Sequence, residues 1–453
     1  MKLLLATLVV AFFVSLSSPA VAAADTSGLV LQSQNDTPSA PSQSAATQTE
    51  APNERRVTEY TLPPDLHKKA HFLSRLGFWG QLVGFVYSVV VLLLILRWNW
   101  AARFRDWAES ITKNRFAQAC IFAPPILLAI AVLSIPFDIA QEWVSRKFGL
   151  SVQSWPSWLW DWTKGQLLSF ILGAILIWIL YAVIRRSPRR WWFYFWLVSL
   201  PITVLLVFLQ PVVVDPLFHK FEPLQSKDPV LTASLERMVQ HAGQEIPPER
   251  MFWMDAAEKT TELNAYVTGL GASKRIVVWN TTIAKMNAPQ IVFVAGHEMG
   301  HYVLNHVWKG LAFAAVFLFV IFWLGAQTIG GVLARSGAKW GIRGLDDWAS
   351  FPALMFLLTI FSFVASPIFN AYSRHVEHQA DQYGLEVTHG LTPDSSQIAA
   401  QAFQVLGEVD LSDPDPIPLD VLLFYSHPAI SDRVRFALSY DPWAHGGTGE
   451  FVK

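Results

Sequence analysis

Two histidines and a glutamate stand together in the run Val294-Ala295-Gly296-His297-Glu298-Met299-Gly300-His301-Tyr302. On a helix, side chains four positions apart leave from one face, so His297 and His301 would present two imidazoles to one point with Glu298 one step round. That layout suits zinc-dependent hydrolysis. Neutral imidazole is a good zinc ligand, and a carboxylate beside the metal can take a proton from its water as the attacking hydroxide forms. Gly296 and Gly300 are small enough for this helix to lie against a neighbour, and Ile291, Val292, Val294 and Ala295 ahead of them are apolar, so burial is expected. A buried His-Glu-His set needs a metal or a complete hydrogen-bond network, because an uncompensated polar group is costly away from water.

The third ligand must come from elsewhere. His306 lies nine positions past His297, about half a turn away on a helix of about 3.6 residues per turn. The motif with a third histidine needs it at position 307, which is Val307. A better source is Ser373-Arg374-His375-Val376-Glu377-His378-Gln379-Ala380-Asp381, which follows the last apolar run and continues its helix in this reading. Glu377 and Asp381 share a face there. The first could reach the metal while the second accepts a hydrogen bond from a ligating imidazole and fixes its tautomer. His378 is an alternative ligand, and a solvated helix face is the plainer reading of the cluster.

The elements that must position these groups belong to a membrane protein. Of 453 residues 52% are apolar and only 15% charged, with 20 Trp and 31 Phe, which is too apolar for an ordinary soluble enzyme. A net charge of -1 and the lack of a basic stripe argue against nucleic acid as a partner. The single cysteine, Cys120, allows no internal disulfide. Apolar stretches near Gly77–Leu96, Ala117–Ala140, Gln166–Ile184, Trp191–Phe208, Gly310–Ile329 and Phe351–Ile368 are each long enough for a bilayer that needs roughly 20 residues, and in lipid they should be helices. The alternative is a set of core helices in a large soluble protein.

Residues 1–24 have Lys2, an apolar run and Ala20-Val21-Ala22, the layout of a signal peptide, with an uncleaved signal anchor as the alternative. Residues 25–56 are rich in Ser, Thr, Gln, Ala and Pro and read as a flexible linker. Residues 57–210 hold four spans, 211–309 a catalytic insertion, 310–370 two further spans, and 371–453 a C-terminal helical region. Loop charges set the orientation. Arg97, Arg103, Arg105, Lys113 and Arg115 follow the first span, Arg185, Arg186, Arg189 and Arg190 the third, and Arg335, Lys339 and Arg343 the fifth, so these loops are expected in the cytoplasm and the metal motif on the non-cytoplasmic side. The loop from Gln141 to Gly165, with Arg146, Lys147 and Lys164, weakens the asymmetry. Within the insertion, Asn264-Ala265-Tyr266-Val267-Thr268 and Arg275-Ile276-Val277-Val278-Trp279 predict a hairpin through Gly269, Gly271 and Ser273. One of its strands could hold an extended peptide by backbone groups.

Three runs together resemble the signature blocks of the CAAX prenyl protease type I family of integral-membrane zinc metallopeptidases. They are Gly296-His297-Glu298-Met299-Gly300-His301-Tyr302, the Ser373 to Asp381 run, and Tyr425-Ser426-His427-Pro428 ending at Arg433. Asp215-Pro216-Leu217-Phe218-His219-Lys220-Phe221 and Asn264-Ala265-Tyr266 add to the likeness, which extends over about residues 60 to 440. Two positions depart from the family pattern, His375 and Ala429. The resemblance implies a mainly α polytopic fold, a cage of about six membrane helices around a chamber, with a zinc-binding helix and a small β-hairpin. It also implies one Zn2+ per chain held by His297, His301 and Glu377, with Glu298 as general base. His427 and Arg433 would be catalytic, lying over the site to stabilise the tetrahedral oxyanion or orient substrate, Asp381 would support a ligand, and Asn264, Ala265 and Tyr266 would hold substrate. The expected function is metalloendopeptidase action on peptide or membrane-protein substrates. Envelope-protein quality control without a prenyl substrate and a catalytically silent helical scaffold are the alternatives.

Overall fold

A computed structural model of the chain describes residues 56–269 and 273–452. The expected signal segment, nearly all of the linker, and Gly271 of the hairpin turn lie outside the described residues. In order, the first part of the chain forms α1 (Pro64–Arg97), the short α2 (Trp100–Ile111), α3 (Arg115–Lys147), α4 (Trp155–Arg186) and α5 (Trp191–Leu209). The insertion holds β1 (Phe221–Pro223), α6 (Pro229–His241), β2 (Met251–Met254), β3 (Ala265–Thr268), β4 (Arg275–Trp279) and α7 (Ala288–Val303). There follow α8 (His306–Ser336), α9 (Phe351–Thr388), α10 (Ser395–Val409) and α11 (Ile430–Ser439). Six of the described helical segments are long and apolar enough to cross a membrane, and they contain α1, α3, α4, α5, α8 and α9. Most extend well past the apolar runs read from sequence. Helix formation does not stop at the lipid boundary, and α9 carries its last turns into the C-terminal region.

The six spans form a closed ring. Helix α1 packs on α3, α3 on α4, α4 on α5, α5 on α8, α8 on α9, and α9 returns to α1. One half of the ring is filled. Leu92, Phe122, Tyr181, Phe195, Phe322 and Trp348 belong to one apolar cluster there, with Trp348 and Tyr181 fully buried. Arg105 reinforces that end through an ion pair with Asp347 and a 3.1 Å bond to the Gly341 carbonyl. In the other half, α4 buries no residue before Gly173 and α9 buries none between Thr359 and Ser373. There the helices form a single layer with few side chains packed against either face.

A second core holds the polar part of the molecule, where α6, α7, α10, α11 and the sheet share buried apolar residues. The sheet has strand order β1-β2-β4-β3. The expected hairpin is present as β3 and β4, antiparallel with Ala265 opposite Val278 and Thr268 opposite Arg275. It is part of a larger sheet than the sequence suggested, since β4 also pairs in parallel with β2. Gly269 has φ 96, and a Cβ there would meet the Ser273 carbonyl oxygen at 2.2 Å, so only glycine fits this turn. Ahead of α1, residues 57–61 run along α10. Gln397 bonds both backbone groups of Val57, at 2.9 and 2.7 Å, and Gln404 takes Thr61 in the same way.

Candidate metal centre

Helix α7 starts where sequence chemistry demands it. Asn287 and Gln290 form a reciprocal capping box at 3.0 Å in each direction, with proline in the first turn. Its small residues then allow a close crossing with α9. A Cβ on Gly300 would sit 2.9 Å from Tyr383 Cβ, one on Gly296 2.8 Å from Val387 Cγ1, and one on Gly384 3.0 Å from the His297 backbone nitrogen. The crossing sets Glu377 and Asp381 beside the histidine pair. Gly384→Ala is expected to push the helices apart, costing about 1–3 kcal/mol for overpacking and weakening metal binding at least tenfold. Thermal unfolding and zinc titration check this; a variant matching the parent in both would show that the approach is not limiting.

Donor atoms of three side chains converge at the crossing. His297 Nε2 and His301 Nε2 are 3.2 Å apart, Glu377 Oε2 is 3.3 Å from the first, and Glu377 Oε1 is 3.5 Å from the second. A tetrahedral zinc site with bonds of about 2.0–2.1 Å has ligand-to-ligand edges of about 3.3–3.4 Å, so the donor set fits that ion in both type and spacing. All three side chains are buried. Glu298 is half-buried, and a carboxylate oxygen of it lies within 4.8 Å of a ring nitrogen of both His297 and His301. His378 is exposed and lies against Phe436 with the rings tilted.

The surrounding groups hold the donors in place. His297 Nδ1 lies 2.8 Å from Asp381 Oδ1, which leaves Nε2 facing His301 and Glu377. Burial alone pushes the His297 pKa down, but its hydrogen bonds to Asp381 and Glu377 and their charges bring it up to about 9. Binding of a cation would therefore release a proton. Arg433 was expected over the site, and it reaches the site through Asp381. Its Nε donates to Oδ2 at 2.9 Å and a terminal nitrogen to Oδ1 at 2.6 Å. The physical reason is that a carboxylate only 1% exposed requires a counter-charge. His427 stands on the open side of the centre with its side chain 31% exposed and Nε2 3.5 Å from Glu377 Oε2. Ser426 Oγ lies 2.9 Å from its Nδ1, a partner that sequence reasoning gave no role.

The strand expected to hold substrate lies against α7. Ala265 and Val267 share the core of that helix, and the Asn264 backbone is fixed on both sides by Thr282, at 2.7 and 2.8 Å. Tyr266 points to the other face of the sheet, where its hydroxyl is 3.4 Å from Asp215 Oδ2. Its backbone lies on the outer strand of the sheet. His306 was set aside by extending the α7 periodicity, but that helix ends at Val303. Asn305 turns the chain with φ 59, and His306 opens α8 next to His301.

The chain is similar to known proteins. Residues 225–441 match peptidase family M48, and residues 44–220 match the family described as CAAX prenyl protease N-terminal, five membrane helices. An uncharacterized metalloprotease of Bacillus subtilis, YhfN, is 34% identical over 335 residues, which cover 74% of this chain and 76% of the relative. CAAX prenyl protease 1 of Saccharomyces cerevisiae is 24% identical over 423 residues, 85% of this chain and 90% of that one. The crystal structure of S. mikatae Ste24p has the same fold, with a TM-score of 0.70 at 21% identity over 97% of this chain and 98% of that chain. Fold and site together define a multi-pass membrane metalloprotease, a hydrolase acting on peptide substrates. Within that class, the chain belongs to the CAAX prenyl protease type I family of M48 peptidases.

Proposed function

We propose that this protein is a zinc metalloendopeptidase in which His297, His301 and Glu377 hold one ion per chain and Glu298 is the general base. The observation that carries the reading is the mutual spacing of the three donors, 3.2 to 3.5 Å. When bound there, zinc would supply a Lewis acid that acidifies water and polarises the scissile carbonyl. Glu298 would take the water proton and pass it to the leaving amine. His427, steadied by Ser426, would donate a hydrogen bond to the oxygen that becomes negative in the transition state. The outer edge of β3 would take an extended substrate segment as an added strand, with Asn264 and Ala265 aligning it. Arg433 would serve by holding Asp381. Metal analysis of the purified protein tests the ligand set. One zinc per chain is expected, lost in Glu377→Ala; retention of full stoichiometry by that variant would remove Glu377 from the set.

The distribution of basic residues along the ring supports a side of the membrane. Arg97, Arg103 and Arg105, then Arg185, Arg186, Arg189 and Arg190, then Arg335, Lys339 and Arg343 lie at or beyond the helix ends opposite the metal centre. By the positive-inside tendency that end faces the cytoplasm and the centre faces the other side. Membrane and envelope proteins are then the substrate class, ahead of lipidated CAAX-type C-termini presented from the cytosol. A reporter active only outside the cytoplasm, fused after Lys453, is expected to be active. A silent reporter with a correctly inserted protein would reverse the orientation and restore the cytosolic substrate class.

A further inference from the structure

Each ligating histidine has a second ring nitrogen, and what that nitrogen meets decides which tautomer faces the metal. For His297 the partner is Asp381. For His301 the partner is His306, whose Nδ1 lies 3.2 Å from His301 Nδ1. The far nitrogen of His306 lies 3.2 Å from Gln379 Oε1, on the helix that carries Glu377. Only one proton arrangement satisfies the whole chain when His301 Nε2 is kept free as a ligand. His301 Nδ1–H donates to His306 Nδ1, and His306 Nε2–H donates to the Gln379 amide oxygen. His306 must be a neutral imidazole to accept at Nδ1. Its place supports that state, because it is 2% exposed and is the first residue of α8, where the positive end of the helix dipole opposes a charged ring.

We propose that His306 is a positioning residue for the metal site, holding His301 in the Nδ1–H tautomer through a relay anchored on Gln379. The inference rests on the zinc reading above and deepens it. The two ligating imidazoles are held differently, one by a carboxylate that adds negative charge and one by a neutral ring that adds none. The relay also joins the α7–α8 corner to α9, so the same bonds that orient His301 fix its ring relative to Glu377.

The test uses the purified full chain, stripped of metal and titrated with zinc against a chromogenic chelator. His306→Phe keeps a buried ring but removes the acceptor. Zinc affinity is expected to fall about 10–100-fold, the range for losing such an outer partner, with the Tm of the metal-free protein within a few degrees of the parent. His306→Gln restores an acceptor oxygen and is expected to recover part of the loss, and Gln379→Leu to show a smaller loss. A His306→Phe protein that binds zinc as tightly as the parent overturns the proposal. So does an equal loss in the Phe and Gln variants that tracks a common fall in Tm. Nitrogen-15 histidine spectra of the metal-free protein read the His301 tautomer directly. If the parent binds no zinc, the ligand set has failed, and the spectra still decide the relay: a fixed Nδ1–H signal that becomes mixed in His306→Phe supports it, and an unchanged signal overturns it.

Discussion

Glu298→Gln is expected to leave zinc bound and to lower the cleavage rate of a peptide library by about 10²–10⁴-fold, the range that general base catalysis contributes. The substitution keeps the size and shape of the side chain and removes only its ability to take a proton. Glu298 lies in the same cluster as the two imidazoles, but in the proposed site Glu377 is the third ligand, so stoichiometry should not change. Glu298 is half-buried on α7, and an amide can be accommodated there without a cavity. The measurement is a paired one, metal content and turnover on the same preparation. A variant that keeps its zinc and cleaves as fast as the parent would sink the proposed mechanism.

The second large effect is expected at Asp381. Asp381→Ala removes a carboxylate that is 1% exposed and strands the Arg433 guanidinium, whose side chain is only 10% exposed. Burial opposes the charge on Arg433, and Asp381 more than offsets it, so that its pKa lies above the usual arginine value. Leaving that charge uncompensated is expected to cost about 3–5 kcal/mol. His297 loses its hydrogen-bond partner at the same time, which should weaken zinc binding by about 10–100-fold. The double variant Asp381→Leu with Arg433→Met separates the two effects. It should regain most of the lost stability, since no charge is left buried, yet still bind zinc weakly. If the double variant also recovers full zinc affinity, Asp381 has no part in orienting His297.

The membrane spans were legible because lipid demands long apolar runs, and little else in a chain looks like them. Their ends were not. Pro64 to Leu76 contains Asp65, Lys68 and Lys69 and gives no apolar signal, yet it continues α1 outside the bilayer. The α7 start and the glycine face could be read because cap and crossing are local chemistry. Strands β1 and β2 left no signal: Phe221–Pro223 is three residues ending in proline, and Met251–Met254 is uniformly apolar without alternation. The Glu377 and Asp381 face followed from helical spacing. That Arg433 would dock on Asp381 could not follow from spacing, because 52 residues and a change of direction separate them. The place of His306 beside His301 was hidden for a related reason. Periodicity extrapolates a helix that the left-handed Asn305 has already ended.

The packed far end of the helix ring limits what can happen to a substrate. With Trp348, Tyr181 and Phe122 packed into the interior there, side chains close that end of the ring. Under the proposed function, a polypeptide would not be threaded through to the opposite compartment. Severed fragments would leave by the way the chain came in or sideways between helices. Loose chain ends would then be favoured over folded domains.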